Sequence, residues 1–332
     1  MRIVEPMILT RRTAPKLAIV GAGRAGRALG IALRKRGWRI GAVVTRSRAG
    51  ARAAVRAIGA GEPQAQLGRS VLAADIVLIA VPDGAIAKVA RQLAEIGDFA
   101  LPADSKSGPR QISEHNLERD RMRDNDSRGL TRENDWFGKV VLHVSGALDR
   151  TVLRALERRG AATGSLHPLQ TFTGRAVPPL AGCICAIEGS RSAMHAARRI
   201  CRALGCVPVV IGRGAKPAYH AAGSLAAGHV LAVVEMAARI LMAEGFSRRK
   251  AVQALLPLTR QTLANFERVG PGKSWTGPVS RGDFGTVARH AAALRRFPRE
   301  YREAYAALSR LSLLLLAKRT ASNRRALDRA LT

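Results

Sequence analysis

Short apolar runs and amphipathic stretches alternate through the first two thirds of this chain, and only helical patterning follows. Lys16-Leu17-Ala18-Ile19-Val20 reads as a buried parallel strand, residues 27–36 as a helix ended by Gly37, and residues 39–44 as a second strand. A helix over 48–58, an apolar strand over 74–83, a helix over 84–96 and a strand over 139–147 continue the alternation. Leu148, Val152, Leu153 and Leu156 mark a further helix, residues 164–172, 183–187 and 207–211 further strands, and residues 191–204 a helix between them. Strands alternating with helices predict an α/β fold built on a mostly parallel sheet. From Gly214 on, residues 216–244, 248–269, 284–296 and 299–318 all carry helical spacing. The predicted organisation is a leader over 1–14, an α/β domain over 15–212, an all-α domain over 213–320 and a basic tail over 321–332. Residues 104–136 break the pattern with dense charge of both signs and few apolar residues, which predicts a flexible insertion.

Composition narrows this picture. With 332 residues and 47% apolar content the chain can bury two ordinary cores. Four cysteines without Cys-x-x-Cys spacing exclude a disulfide scaffold and argue against a metal site; reduced, packing thiols and a cytoplasmic setting are the expectation. The longest apolar run, around Leu311 to Ala317, is too short to cross a bilayer, so no membrane association is expected.

Charge is the outlying number: 55 Lys+Arg against 24 Asp+Glu, a formal +31. Arginine supplies 46 of the 55, and residues 1–150 carry net +11 against +20 for 151–332. The excess is dispersed in pairs such as Arg158-Arg159 and Arg198-Arg199 at helical spacing, the pattern of solvated helix faces. With 4% aromatics and no zinc-finger spacing, a nucleic-acid-binding scaffold ranks behind an anionic small-molecule partner.

The most informative motif is Gly21-Ala22-Gly23-Arg24-Ala25-Gly26, directly after the first strand and opening the first helix. That context is what a dinucleotide turn requires. Gly21 permits the tight turn, Gly23 lets a diphosphate approach the backbone, Gly26 lets helix and strand pack closely, and the helix N-terminus attracts the anion. At the end of the second strand stand Thr45-Arg46-Ser47-Arg48, with no acid to accept from a ribose 2′-hydroxyl. Arginine can bind a 2′-phosphate bidentately, so the expected cofactor is NADP. Val81-Pro82-Asp83 closes the third predicted strand at the cofactor edge, with Asp83 also placed to cap the next helix.

Taken together, these motifs resemble the Rossmann-like oxidoreductases that carry a C-terminal domain of unknown function 2520. The resemblance rests on Gly21-Ala22-Gly23-Arg24, Val81-Pro82-Asp83, His143-Val144-Ser145-Gly146-Ala147, Ser165-Leu166-His167-Pro168-Leu169-Gln170-Thr171-Phe172, Tyr219-His220-Ala221-Ala222 and Thr276-Gly277-Pro278-Val279-Ser280-Arg281-Gly282-Asp283. The layout is similar to pyrroline-5-carboxylate reductase, prephenate dehydrogenase and 6-phosphogluconate dehydrogenase. It implies an NADP-binding Rossmann domain, a helical C-terminal domain of the 6-phosphogluconate dehydrogenase type, and a homodimer formed through that domain. Two departures stand out: the 104–136 insertion, and Ala227-Gly228 where a Ser-Asn pair is expected, with His229 nearby.

Hydride transfer to a carbonyl or imine needs a proton donor beside the reacting carbon. His167 and His220 are the first candidates, with Lys216, Tyr219, His143 and Ser145 behind them. His143 and Ser145 end a strand at the crevice, and Lys216 and His220 share a helix face at i, i+4. The expected function is an NADP-dependent oxidoreductase acting on a small, anionic carbonyl or imine compound. The rivals are a non-catalytic NADP(H) sensor and the basic nucleic-acid scaffold.

Overall fold

The computed structural model describes residues 15–96, 135–317 and 321–332, which form two compact units, residues 1–224 and 225–332. Most of the predicted 104–136 insertion, and the 1–14 leader, lie outside the described residues. Trp136 does not: it is fully buried, donates from its indole to the Leu93 carbonyl at 3.1 Å, and belongs to the core.

The first unit runs β1 (Lys16–Val20), α1 (Arg24–Lys35), β2 (Arg39–Val44), α2 (Arg48–Ile58), β3 (Glu62–Gln64), β4 (Ile76–Ile79), α3 (Asp83–Ala94) and β5 (Val140–His143). It continues through the single turn α4 (Arg154–Glu157), β6 (Ala162–Pro168), β7 (Ile184–Gly189), α5 (Arg191–Leu204), β8 (Val207–Val210) and α6 (Lys216–Ser224). The eight strands form one sheet in the order β3-β2-β1-β4-β5-β6-β7-β8. Every neighbouring pair is parallel except β6 and β7. The sheet is therefore parallel-dominated, with helices packed on both faces. One face gathers Leu17, Ile19, Leu29, Leu33, Leu166 and Ile187 with α1 and α5, and the other Val20, Val77, Ile79, Ile86 and Leu93 with α3. β4 is buried at all four residues, as a central parallel strand should be.

Several predicted limits shift. The first helix starts at Arg24, not at residue 27, so the glycine turn feeds straight into it. The strand expected over 74–83 ends at Ile79, because Pro82 takes the cap position of α3 and Asp83 is its first helical residue. The Asp83 side chain therefore does not cap that helix.

The second unit contains α7 (Val230–Ala243), α8 (Arg248–Val269), the short α9 (Pro271–Ser274), α10 (Phe284–Ala293), α11 (Arg299–Leu316) and α12 (Ala321–Leu331). Residues 321–332, read as a tail, carry α12, whose Leu327 and Leu331 bury against Val287. Five π-helical residues, Leu225–His229, link α6 to α7, so helical structure runs over Lys216–Ala243. That 28-residue stretch is long and apolar enough to cross a membrane by length and composition only, and 6% of its most apolar part is buried. Its first residue, however, is fixed inside the sheet unit, as follows.

Candidate active site

β1 ends at the point where the strand order reverses, with β2 on one side and β4 on the other. Ligands of open α/β sheets bind in the crevice at such a switch point, beyond the carboxyl ends of the strands. The glycine turn occupies that place. Gly21 has φ +92°, and a Cβ there would lie 2.6 Å from Val81 Cγ1. One on Gly26 would lie 2.3 Å from the Gly21 carbonyl oxygen, so both positions need glycine. Gly23 is different: a Cβ would meet nothing within 4 Å, which leaves open backbone where a diphosphate would approach. No side chain caps α1, so its first N–H groups remain available to an anion. Ala22, Arg24 and Ala25 complete the turn, Arg24 exposed.

At the end of β2, Thr45 Oγ1 donates to the Ser47 carbonyl at 2.8 Å, and Ser47 Oγ caps α2 by accepting from Gly50 N. These bonds fix the turn and leave the Arg46 and Arg48 side chains exposed. A dinucleotide fits these residues: an open glycine cradle, an uncapped helix and two exposed guanidinium groups.

The chemistry-bearing side chains gather at the same edge. Ser145 Oγ donates to Asp83 Oδ2 at 2.9 Å and accepts from the Ala147 and Leu148 N–H groups, so it ties the end of β5 to the start of α3. His143 is fully buried; its Nε2 lies 3.2 Å from the Asp149 carbonyl, and its Nδ1 accepts from Ser145 N. Burial first, and then the Lys216 charge, push its pKa down to about 3, so the ring is neutral. Both nitrogens being engaged, neither is left for a substrate.

Lys216, the first residue of α6, is 1% exposed and donates to the Ser145 carbonyl at 2.7 Å. Burial pulls its pKa down to about 8 against the opposing pull of Glu188, Asp149 and Asp83. Glu188, which sequence reasoning missed, is held by Ser165 Oγ at 3.2 Å across the β6–β7 pair. A lone acid in an apolar strand was the only signal for it.

One turn along α6, the Tyr219 hydroxyl lies 3.1 Å from His167 Nδ1 and the two rings meet edge to face. The His167 and His220 ring centroids are 5.9 Å apart. Both imidazoles crowd Gly146: a Cβ there would lie 2.6 Å from His220 Cδ2 and 2.7 Å from His167 Nε2. Gly146 is the second residue that sequence reasoning passed over. Burial, with help from Lys216 and His220, lowers the His167 pKa to about 4. His167 Nε2 makes no hydrogen bond among the described residues, and His220 is exposed. The structure thus separates the six candidates. His143, Ser145 and Lys216 are buried and engaged in hydrogen bonds, whereas His167 and Tyr219 are half-buried and His220 is exposed. A cavity of about 400 Å³ lined by Asp75, Val140, Arg191, His195 and Arg199 opens at the opposite sheet edge, away from this group. In the second unit, Asp283 caps α10 by accepting from Thr286 N.

The fold and site define a Rossmann-type α/β unit followed by a helical one. Residues 8–100 match the family model of the Rossmann-like domain, and residues 183–312 that of a domain of unknown function, DUF2520. The chain carries both. No curated protein matches the sequence. Among solved structures, the fold is similar to a proposed NADP oxidoreductase from Bacteroides fragilis (19% identity, TM-score 0.66, covering 90% of this chain and 98% of that one). It is also similar to an imine reductase from Myxococcus stipitatus in complex with NADP+ (17%, 0.59, 96% and 100%). A reductive aminase from Aspergillus terreus in complex with NADPH and ethyl-5-oxohexanoate is a third (16%, 0.59, 90% and 93%).

Proposed function

We propose that this protein is an NADP-dependent oxidoreductase acting on a small anionic carbonyl or imine compound. The observation that carries the reading is the placement of His167, Tyr219 and His220 at the same sheet edge as the glycine turn, within one unit. A bound NADPH would supply the hydride. His220, exposed and one turn from a buried lysine, is the proton donor or acceptor for the substrate; His167 and Tyr219 orient it. Arg46 and Arg48 select the 2′-phosphate. The excess of basic residues, 55 Lys+Arg against 24 Asp+Glu, supports an anionic substrate. The solved reductases of the same fold support the reaction class.

Homodimerisation through the helical unit belongs to the same reading. Leu231 on α7 is 70% exposed, Leu258 on α8 65% and Leu315 on α11 65%, more apolar surface than a lone helical unit would leave in water. The four free thiols suit a reducing, cytoplasmic setting.

Thermal-shift titration with NADPH and NADH, followed by NADPH oxidation over keto acids and cyclic imines, tests the proposal. Binding of NADPH, turnover with one of these classes, and loss of turnover but not of binding in His220→Ala are expected. Binding without any turnover would instead point to a sensor.

A further inference from the structure

β6 and β7 are antiparallel neighbours that pair Pro168 with Cys185, and a turn of two to five residues would join such strands. Residues 169–183 connect them instead, fifteen residues without helix or strand. The segment leaves from the carboxyl end of β6, which is the edge that carries the glycine turn. It is well fixed. Phe172 and Val177 pack on the α1/α5 core, and Gln170 Nε2 donates to the Pro179 carbonyl at 2.9 Å.

Its middle is fastened to the dinucleotide helix. Arg27 Nη2 on α1 donates to the Gly174 carbonyl at 2.7 Å, across 147 residues of sequence. Gly174 has φ +84°, and a Cβ there would come within 2.8 Å of Arg24 Cγ and 3.4 Å of Arg27 Nη2. The first turn of α1 therefore lies directly against the loop, and the position requires glycine on both counts. Arg175 follows, exposed like Arg24, and neither enters an ion pair among the described residues. Two guanidinium groups without carboxylate partners, beside an uncapped helix N-terminus, are suited to bidentate contact with phosphate oxygens.

We infer that the 169–183 loop is a second wall of the dinucleotide site, with Arg175 and Arg24 contacting the diphosphate and Arg27 anchoring the loop against α1. The inference rests on the cofactor reading above. It separates two jobs among the arginines: Arg46 discriminates by the 2′-phosphate, whereas Arg175 acts on the diphosphate that NADPH and NADH share.

The experiment uses the full chain and nucleotide binding, followed by energy transfer from tryptophan to the reduced nicotinamide. Arg175→Ala is expected to weaken NADPH and NADH by the same factor, about tenfold, for the loss of roughly 1.4 kcal/mol of charge-assisted contact. Arg175→Lys should recover part of that loss, and the melting temperature of the free protein should not move. Trypsin should cut after Arg175 more slowly when NADPH is present, and faster in Arg27→Ala. If wild type binds NADPH while Arg175→Ala binds both nucleotides as tightly, the inference fails and the cofactor reading stands. Tighter binding in Arg27→Ala would also overturn it, because the loop would then occupy the site instead of walling it. A wild type that binds neither nucleotide removes both readings.

Discussion

The Lys216 ammonium donates to the carbonyl of Ser145, 2.7 Å away and 71 residues earlier in the chain. This bond anchors the first turn of α6 beneath the candidate site, and with it the Tyr219 and His220 side chains one turn on. An ammonium 1% exposed is costly to keep charged.

The cost gives a pH signature. The folded pKa of Lys216 lies near 8 against an ordinary 10.5, so above pH 8 the unfolded chain holds more protons at this residue than the folded one. Stability from this group is complete above pH 10.5 and declines as pH falls through 8, by about 3 kcal/mol in all. Urea unfolding of wild type and Lys216→Met between pH 7 and 10.5 should show wild type gaining on the variant as pH rises. A constant difference would mean that the lysine is not held at a lowered pKa.

His143 and His167 predict the opposite end of the scale. Their folded pKa values, about 3 and about 4, lie below the ordinary 6.5, because burial penalises the charged rings. As pH falls below 6.5 the unfolded chain takes up protons that the folded chain refuses, so stability falls by about 1.4 kcal/mol per pH unit for each ring, down to about pH 3 for His143 and about pH 4 for His167. His143→Gln, which keeps one donor and one acceptor, should flatten part of this slope in melting curves from pH 7 to 4. An equally steep slope in the variant would exclude His143 as a source.

Three helices were legible at both limits where an amphipathic stretch ran into a glycine. Residues 48–58, 191–204 and 248–269 read as helices and form α2, α5 and α8, each followed by a glycine with positive φ: Gly59, Gly205 and Gly270. The glycine turn was legible too, since its glycines follow a strand and open a helix. The reversed direction of β7 was not, because direction depends on which edge a strand joins and not on its own residues. β3, three polar-to-neutral residues, carried no apolar pattern to read. Within the site, sequence ranked His167 ahead of His143 but carried no sign of the hydrogen bonds that separate them. Which ring nitrogens are consumed depends on Asp149 and Ser145 in one case and on Tyr219 in the other.

Gly146 should tolerate no side chain without a catalytic penalty. The methyl group of Gly146→Ala would fall 2.6–2.7 Å from the His167 and His220 rings and push them outward. Displacing acid–base groups by about 1 Å costs on the order of 100-fold in rate. Turnover should drop by that order, while NADPH affinity and the circular dichroism spectrum stay as in wild type. Full activity in Gly146→Ala would show that the two imidazoles are not positioned by this contact.

Cofactor choice is predicted to sit at the end of β2. Thr45 spends its hydroxyl proton on the Ser47 carbonyl and Ser47 Oγ accepts from Gly50 N, which leaves the Arg46 and Arg48 guanidinium groups as the charged donors for a 2′-phosphate. A guanidinium–phosphate pair at a partly exposed site contributes roughly 1.5–3 kcal/mol, so Arg46→Ala should weaken NADPH by about 10- to 100-fold. NADH has no 2′-phosphate and should bind as before. Arg46→Asp should go further, because a carboxylate there repels the 2′-phosphate and can accept from the 2′-hydroxyl of NADH. Calorimetric titration of both nucleotides against wild type and the two variants measures this; an unchanged NADPH-to-NADH affinity ratio in Arg46→Asp would remove the end of β2 as the discriminating element.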